Sequence, residues 1–283
     1  MTSRLSVNQI TVSGRDTRDL LVGCVRHGIP AVGLWREPVA ETGAKAVASM
    51  VADLGLRVSS LCRGGFFTAP GEKAVREATD DNIRALDEAA TLGAPCVVLV
   101  VGGLPVGSRD LQGARDRVAA MLEVLAPEAG ARGVRLAVEA LHPMFCADRA
   151  VVSTLGQALA LAEPYPAEQV GVVVDAYHLW WDPRLGEDLP RAAGRLASYQ
   201  VSDWTLPLAA DTLRSRGLPG DGHIDLTGLT RDVTRVGYSG DVEVEVMNAE
   251  VAARPLDEVL ADLVRRHAEF VAPGLVPDRA GAS

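Results

Sequence analysis

Cysteine is scarce: the chain has only four, at positions 24, 62, 96 and 146, with no C-x-x-C pair among them. That spacing excludes a zinc ribbon, a dithiol redox motif and a disulfide-stapled scaffold, and it fits a reducing cytoplasm. Basic charge is short as well. The 28 Lys and Arg residues face 37 Asp and Glu, giving a formal net charge of -9, and the nearest thing to a basic run is Arg265-Arg266. Gripping a phosphate backbone needs a basic face, so nucleic acid is excluded as a partner. No stretch approaches the roughly 18 consecutive apolar residues of a spanning helix. Met1-Thr2-Ser3-Arg4-Leu5 also lacks the charged-then-apolar order of a signal peptide. A soluble cytoplasmic protein with no membrane partner is expected. No G-x-G-x-x-G follows the first apolar run, so a nicotinamide cofactor is not implied.

What remains is ordinary for a large buried core, with 48% hydrophobic and 23% charged residues. Short β-branched runs alternate with longer segments of helical period along the whole chain, the pattern of repeated β/α units. Strands are predicted at 5–12, 31–34, 58–61, 96–101, 134–139, 170–175, 197–201 and 242–246. Runs such as Cys96-Val97-Val98-Leu99-Val100-Val101 are continuously apolar, as strands covered on both faces must be. Helices are predicted at 42–54, 72–92 and 110–131, with Gly55, Gly93 and Gly133 placed to end them. Eight parallel strands in about 250 residues define a single (β/α)8 TIM barrel. Residues 1–271 are assigned to the barrel, and the aperiodic Pro- and Gly-containing segment 272–283 to a flexible tail.

In such barrels the site forms where the strands end, at their C-terminal side. Three carboxylates interrupt apolar runs there. Glu139 closes Leu136-Ala137-Val138, Asp175 closes Val172-Val173-Val174, and Glu245 stands between Val244 and Val246. Carboxylates converging in one barrel mouth repel one another and need a cation. Oxygen ligands favour a hard or borderline divalent ion, Mn²⁺ first, with Mg²⁺ or Co²⁺ as alternatives.

These residues carry a resemblance that covers nearly the whole chain. Val-Glu139-Ala-Leu-His-Pro, Val-Asp175-Ala-Tyr-His and Gly-Tyr-Ser-Gly-Asp-Val-Glu-Val-Glu245-Val-Met-Asn resemble three of the four metal-ligand motifs of the xylose isomerase-like barrels. That family includes sugar-phosphate isomerases and epimerases, ketose 3-epimerases, inosose-processing enzymes and abasic-site endonucleases. Its fourth ligand is usually the His of an H-x-x-D pattern. Here the matching stretch is Gln200-Val-Ser-Asp203, so Gln200 stands where His is expected. A Gln oxygen can ligate a hard cation; the other reading is that Gln200 only bonds substrate while water completes the shell. The resemblance further implies that His178, in D-x-x-H, and Arg216, in R-x-x-P-G-x-G, contact substrate oxygens. Barrels of this type often associate, so a homodimer is the expected assembly.

His142, three residues after Glu139, is placed as a proton carrier because imidazole titrates near working pH. Trp35 and Arg63 follow predicted strands two and three, and Trp180 and Trp204 flank the later ligand positions. Indole faces stack on the C–H surfaces of sugars, so these four are assigned with His178 and Arg216 to a carbohydrate substrate. Cys62 has no basic partner in its motif and reads as a small buried filler. The implied reaction is isomerisation or epimerisation of a keto-sugar or sugar phosphate, with Glu139 and Glu245 exchanging protons through a metal-stabilised enediolate. The same enolate can expel a β-leaving group, so a 3-keto-glycoside lyase resembling the barrel subunits of C-glycoside deglycosidases is the alternative. A non-catalytic sugar-binding barrel stands behind these, and an abasic-site endonuclease is opposed by the acidic charge and only 5 His.

Overall fold

The computed structural model describes residues 2–275. Eight parallel strands close into a barrel: β1 (Leu5–Asn8), β2 (Ala31–Trp35), β3 (Arg57–Gly65), β4 (Cys96–Val100), β5 (Arg135–Glu139), β6 (Val170–Asp175), β7 (Leu196–Val201) and β10 (Val242–Val244). Each pairs in parallel with the next around the ring, and β10 pairs with both β7 and β1. Two further strands, β8 (Asp203–Trp204) and β9 (Arg216–Gly217), form an antiparallel ribbon after β7 that the sequence pattern did not show.

Every residue of β6 is buried, as a strand between an interior and a helix layer requires. Alternate residues supply the two layers. Leu5, Val7, Val172, Val174, Val242 and Val244 pack outward against helices in the main core. Cys62, Cys96, Val98, Ala137 and Val173 form a second apolar cluster inside the ring. Those interior side chains are small, which leaves the upper interior to polar groups. Helices Glu72–Leu92 and Leu111–Arg132 end on Gly93 and Gly133, both in the left-handed region, as the sequence suggested.

Several boundaries differ from the sequence pattern. The first strand stops at Asn8, because the Asn8 side chain accepts from Ile10 N and starts a 3-10 turn, Gln9–Val12. The helix expected over 42–54 is Ala44–Asp53, and a further short helix, Arg36–Thr42, precedes it across Gly43 with φ +92°. Strand β3 runs four residues past the expected end at 61, and β10 ends before Glu245, whose N–H still donates to Val201 O. Of the segment 272–283 expected as a tail, residues 272–275 are described. Ala272–Gly274 is a 3-10 turn in which Gly274 lies so close to Thr227 O that a Cβ would come within 2.4 Å. Residues 276–283 lie outside the described residues. No described helix is long and apolar enough to cross a membrane.

Candidate active site

Strand register brings the carboxylates to one level. Asp175 is the cross-strand partner of Gln200, and Gln200 of Glu243; Glu139 pairs with Val173, two residues before Asp175. Glu139, Asp175 and Glu245 are buried, at 5%, 0% and 4% exposure, where unpaired charges would be costly. One Asp175 oxygen accepts from Tyr177 N at 2.7 Å, which turns the chain sharply after β6 and leaves the other oxygen facing the interior.

That second oxygen receives Arg216. Arg216 Nη1 is 2.8 Å from Asp175 Oδ2 and 2.9 Å from Glu245 Oε2, and Nη2 is 2.9 Å from His178 Nε2. The β8–β9 ribbon aims this arginine by pairing it with Trp204, and its guanidinium lies over the Tyr177 ring, 4.9 Å from the centroid. Asp203, three residues after Gln200 in the chain, anchors the following loop by accepting from Gly220 N and Ile224 N. Glycine is required at 222, where a Cβ would meet Trp204 O at 2.1 Å. The P-G-x-G segment is therefore the scaffold that holds Arg216 over the carboxylates.

Three carboxylates against one guanidinium leave two negative charges unbalanced. The consequence shows in the acidities. Burial, then the neighbouring Glu245 and Asp175, hold the Glu139 carboxyl well above its usual range. Burial pushes Glu245 up to about 7, with Arg216 pulling the other way. Burial and the adjacent Arg216 cation keep the His178 imidazole well below its ordinary value, so it is neutral. A neutral ring has one bare nitrogen, yet His178 faces donors on both sides: Arg216 at Nε2 and the His142 backbone N–H, 3.2 Å from Nδ1. Only one of those contacts can be a hydrogen bond at a time.

One layer deeper, Glu243 is fully buried and accepts from Asn8 Nδ2 at 2.6 Å, Ser59 Oγ, Ser60 Oγ at 2.8 Å and Gln200 Nε2 at 3.2 Å. Gly33 makes room for it; a Cβ there would lie 2.5 Å from the carboxyl carbon. Asn8 links the layers, donating to Glu243 and, at 3.2 Å, to Glu245, while its own oxygen accepts from Trp35 Nε1 at 2.7 Å. Gln200 Oε1 is buried with no partner. Sequence reasoning singled out neither Glu243 nor Asn8. The alternation Val242-Glu243-Val244-Glu245-Val246 carries the signal for the first, since residues two apart share a face.

Trp35, Cys62, Arg63, Glu139, Leu141, Arg149, His178, Leu213, Arg216, Glu245 and Met247 surround a small pocket of about 40 Å³. Arg149 was also missed. His142, Trp180 and Trp204 are not among its walls. His142 and Trp180 instead cluster around Trp204, with ring centroids 5.2 and 5.6 Å from it, and Trp204 stacks on Tyr177 at 4.8 Å. Burial pushes the His142 imidazole down. Cys62 is buried, with a thiol raised well above its usual value by burial, then by Glu245, as suits a filler. A larger cavity of about 860 Å³ opens at the other end of the barrel, beside Arg57, Arg135 and Asp241 at or just before strand starts. It holds none of the clustered carboxylates, and we place the site at the strand ends on chemistry rather than on size.

A closed parallel barrel with buried carboxylates, a neutral histidine and an arginine at the C-terminal strand ends is the architecture of a small-molecule enzyme. The chain belongs to the xylose isomerase-like TIM barrel family, whose model matches residues 23–269. It is similar to the 3-dehydroshikimate dehydratase of Pseudomonas putida, 28% identical over 228 residues, which is 78% of this chain and 34% of that protein. The chain thus spans about a third of that relative's length. It is also similar to the inosose isomerase of Bacillus licheniformis, 27% identical over 215 residues, covering 71% of this chain and 74% of that one. Among solved structures, protein SMc04130 from Sinorhizobium meliloti superposes with a TM-score of 0.93 at 43% identity over 96% of this chain and 99% of that one. The zinc-bound IolI protein shares the fold, with a TM-score of 0.83 at 21% identity over 97% of this chain and all of that one.

Proposed function

We propose that this barrel binds a divalent metal ion with Glu139, Asp175, Glu245 and Gln200 and moves a proton beside the carbonyl of a polyhydroxylated ketone. The deficit of two charges around Arg216 is the observation that carries this reading. The unpartnered Gln200 Oε1 adds a waiting oxygen donor. Glu139, Asp175 and His178 also offer ligand atoms within 4.8 Å of one another. We prefer Glu245 to His178 as a ligand, because the His178 Nε2 lone pair faces Arg216 and an all-oxygen set suits Mn²⁺ or Mg²⁺.

Bound there, the ion would supply Lewis-acid polarisation of the substrate's carbonyl and hydroxyl oxygens. Glu139 and Glu245, both on the pocket wall, are the carboxylates that would take up and return the substrate proton. Arg216, whose Nε has no protein partner and whose Nη2 is held by His178, would face the oxygen on which negative charge develops, and Trp35 offers an indole face anchored by Asn8. Proton return to a neighbouring carbon gives isomerisation, and return to the opposite face gives epimerisation. Expulsion of a β-hydroxyl or glycoside gives elimination, a second reading favoured by the dehydratase among the relatives.

Incubation in D₂O with a ketose, an inosose, a 3-keto-glycoside and 3-dehydroshikimate separates these outcomes. Deuterium at a carbon beside the carbonyl without cleavage supports isomerisation or epimerisation. Release of water or aglycone assigns elimination. Absence of both with every compound removes the proton-transfer reading.

A further inference from the structure

We infer that the substrate of this pocket is an anion, a hydroxyketone carrying a carboxylate or phosphoryl group that Arg63 and Arg149 receive. The inference deepens the reading above and rests on it for the location of the reacting carbonyl. It comes from a coincidence of unpartnered groups. Among the described residues, seven buried side-chain polar atoms have no hydrogen-bond partner, and three of them are guanidinium Nε atoms: Arg63, Arg149 and Arg216. All three arginines line the same pocket.

A buried N–H without an acceptor is costly, and three around one cavity mark the cavity as a place where acceptors belong. Arg63 has no carboxylate within ion-pairing distance among the described residues. It lies instead over two aromatic faces, Trp35 at 5.6 Å and Phe66 at 4.9 Å, which hold the planar group in place without using its in-plane donors. Arg149 has only a 3.6 Å ionic contact with the exposed Asp148 and sits over Phe145 at 5.9 Å.

Charge leads to the same place. With a divalent ion in position, Glu139, Asp175 and Glu245 are balanced by that ion and Arg216. Arg63 then remains on the pocket wall without a carboxylate partner, and Arg149 with only its long contact to Asp148. A neutral sugar would leave them so, whereas a substituent with oxyanion oxygens satisfies both the charge and the idle donors. The three contacts with the faces of Trp35, Phe66 and Phe145 fix the guanidiniums in advance, so little ordering is lost when the anion arrives.

Titration calorimetry on the Mn²⁺-loaded full chain tests this with four probes: 3-dehydroshikimate, its neutral methyl ester, a neutral inosose and a ketose phosphate. The carboxylate or the phosphate should bind at least about 10-fold more tightly than the ester and the inosose. The margin should fall to within about 2-fold in the Arg63→Gln/Arg149→Gln double variant. Which anion wins separates the carboxylate from the phosphoryl source. The ester comparison uses the wild-type chain alone, so the conclusion survives a variant that misfolds. Equal binding of acid and ester, tighter binding of the inosose than of either anion, no binding of any probe, or a preference that persists in the folded double variant would overturn the inference. Deuterium exchange in the same samples keeps the two proposals apart. Exchange confined to the neutral ketone overturns the anion and leaves the proton transfer standing; anion preference without exchange does the reverse.

Discussion

Gln200 Nε2 lies 3.2 Å from Glu243 Oε1, and that single contact orients the amide so that its oxygen is left facing no protein donor. A carboxylate behind a ligand commonly fixes which atom the ligand presents. At the proposed metal site, it would let a glutamine serve where the resemblance puts histidine. Replacement Gln200→Leu should weaken Mn²⁺ binding by about 10-fold or more, and Gln200→His should shift preference toward Zn²⁺, as imidazole does. Competition titrations of the two ions against each variant give the order of affinities; unchanged Mn²⁺ affinity in Gln200→Leu removes Gln200 from the ligand set.

Arg216 is the only cation hydrogen-bonded to Asp175 and Glu245 among the described residues. Its removal strands buried negative charge, so Arg216→Ala should destabilise the metal-free chain by about 3–5 kcal/mol. Saturating Mn²⁺ should recover more of that loss than it adds to the wild-type chain, because the ion then supplies the missing positive charge. Urea unfolding of both chains with and without the ion measures the difference. Equal gains in the two chains would show that the ion and Arg216 do not share the same carboxylates.

Glu139 and Glu245 are weaker acids in the folded chain than in the unfolded one. Groups whose pKa rises above the ordinary carboxylate value on folding bind protons on folding. Their stability is fully present below that value, about 4.5, and is lost as pH rises toward the folded value, about 7 for Glu245. The metal-free chain should therefore lose stability between about pH 4.5 and pH 7 through this cluster, a trend that Glu245→Gln flattens. Metal binding near pH 6 should release protons, because an incoming cation displaces them. Calorimetry in buffers of different ionisation enthalpy counts them, and the number should fall as pH is raised past 8.

His142 distinguishes the two chemical readings. Its ring packs near Trp181 and Trp204 rather than on the pocket wall. Proton exchange carried between Glu139 and Glu245 should proceed in His142→Gln within a few-fold of the wild-type rate. An elimination whose departing oxygen is protonated by His142 should slow by about 10²–10⁴-fold in the same variant. Deuterium wash-in and product release, followed together, report the two rates separately.

The barrel was legible because its strands are buried on both faces. Continuous apolar runs such as 96–101 and 170–174 need no alternation to be seen, and the carboxylates at 139 and 175 stand out by breaking them. The short helix Arg36–Thr42 and the end of β1 at Asn8 were not legible, because neither is long enough to show a period. Asn8 and Glu243 escaped for a different reason. A polar residue inside a short strand looks like a solvent-facing one until the ring closes and both faces become interior. Arg149 lies in a loop whose position depends on a distant partner, the bridge between Gly102 and Ala150, and no spacing in the chain announces it.

Titration of the metal-free chain with Mn²⁺, beside Asp175→Asn and Glu245→Gln, tests the carboxylate-held ion most directly. One ion per chain should bind to the wild type, and affinity should fall by at least about 10-fold in each variant. Absence of saturable binding in the wild-type chain, or binding that both variants leave unchanged, would contradict a metal centre at these strand ends.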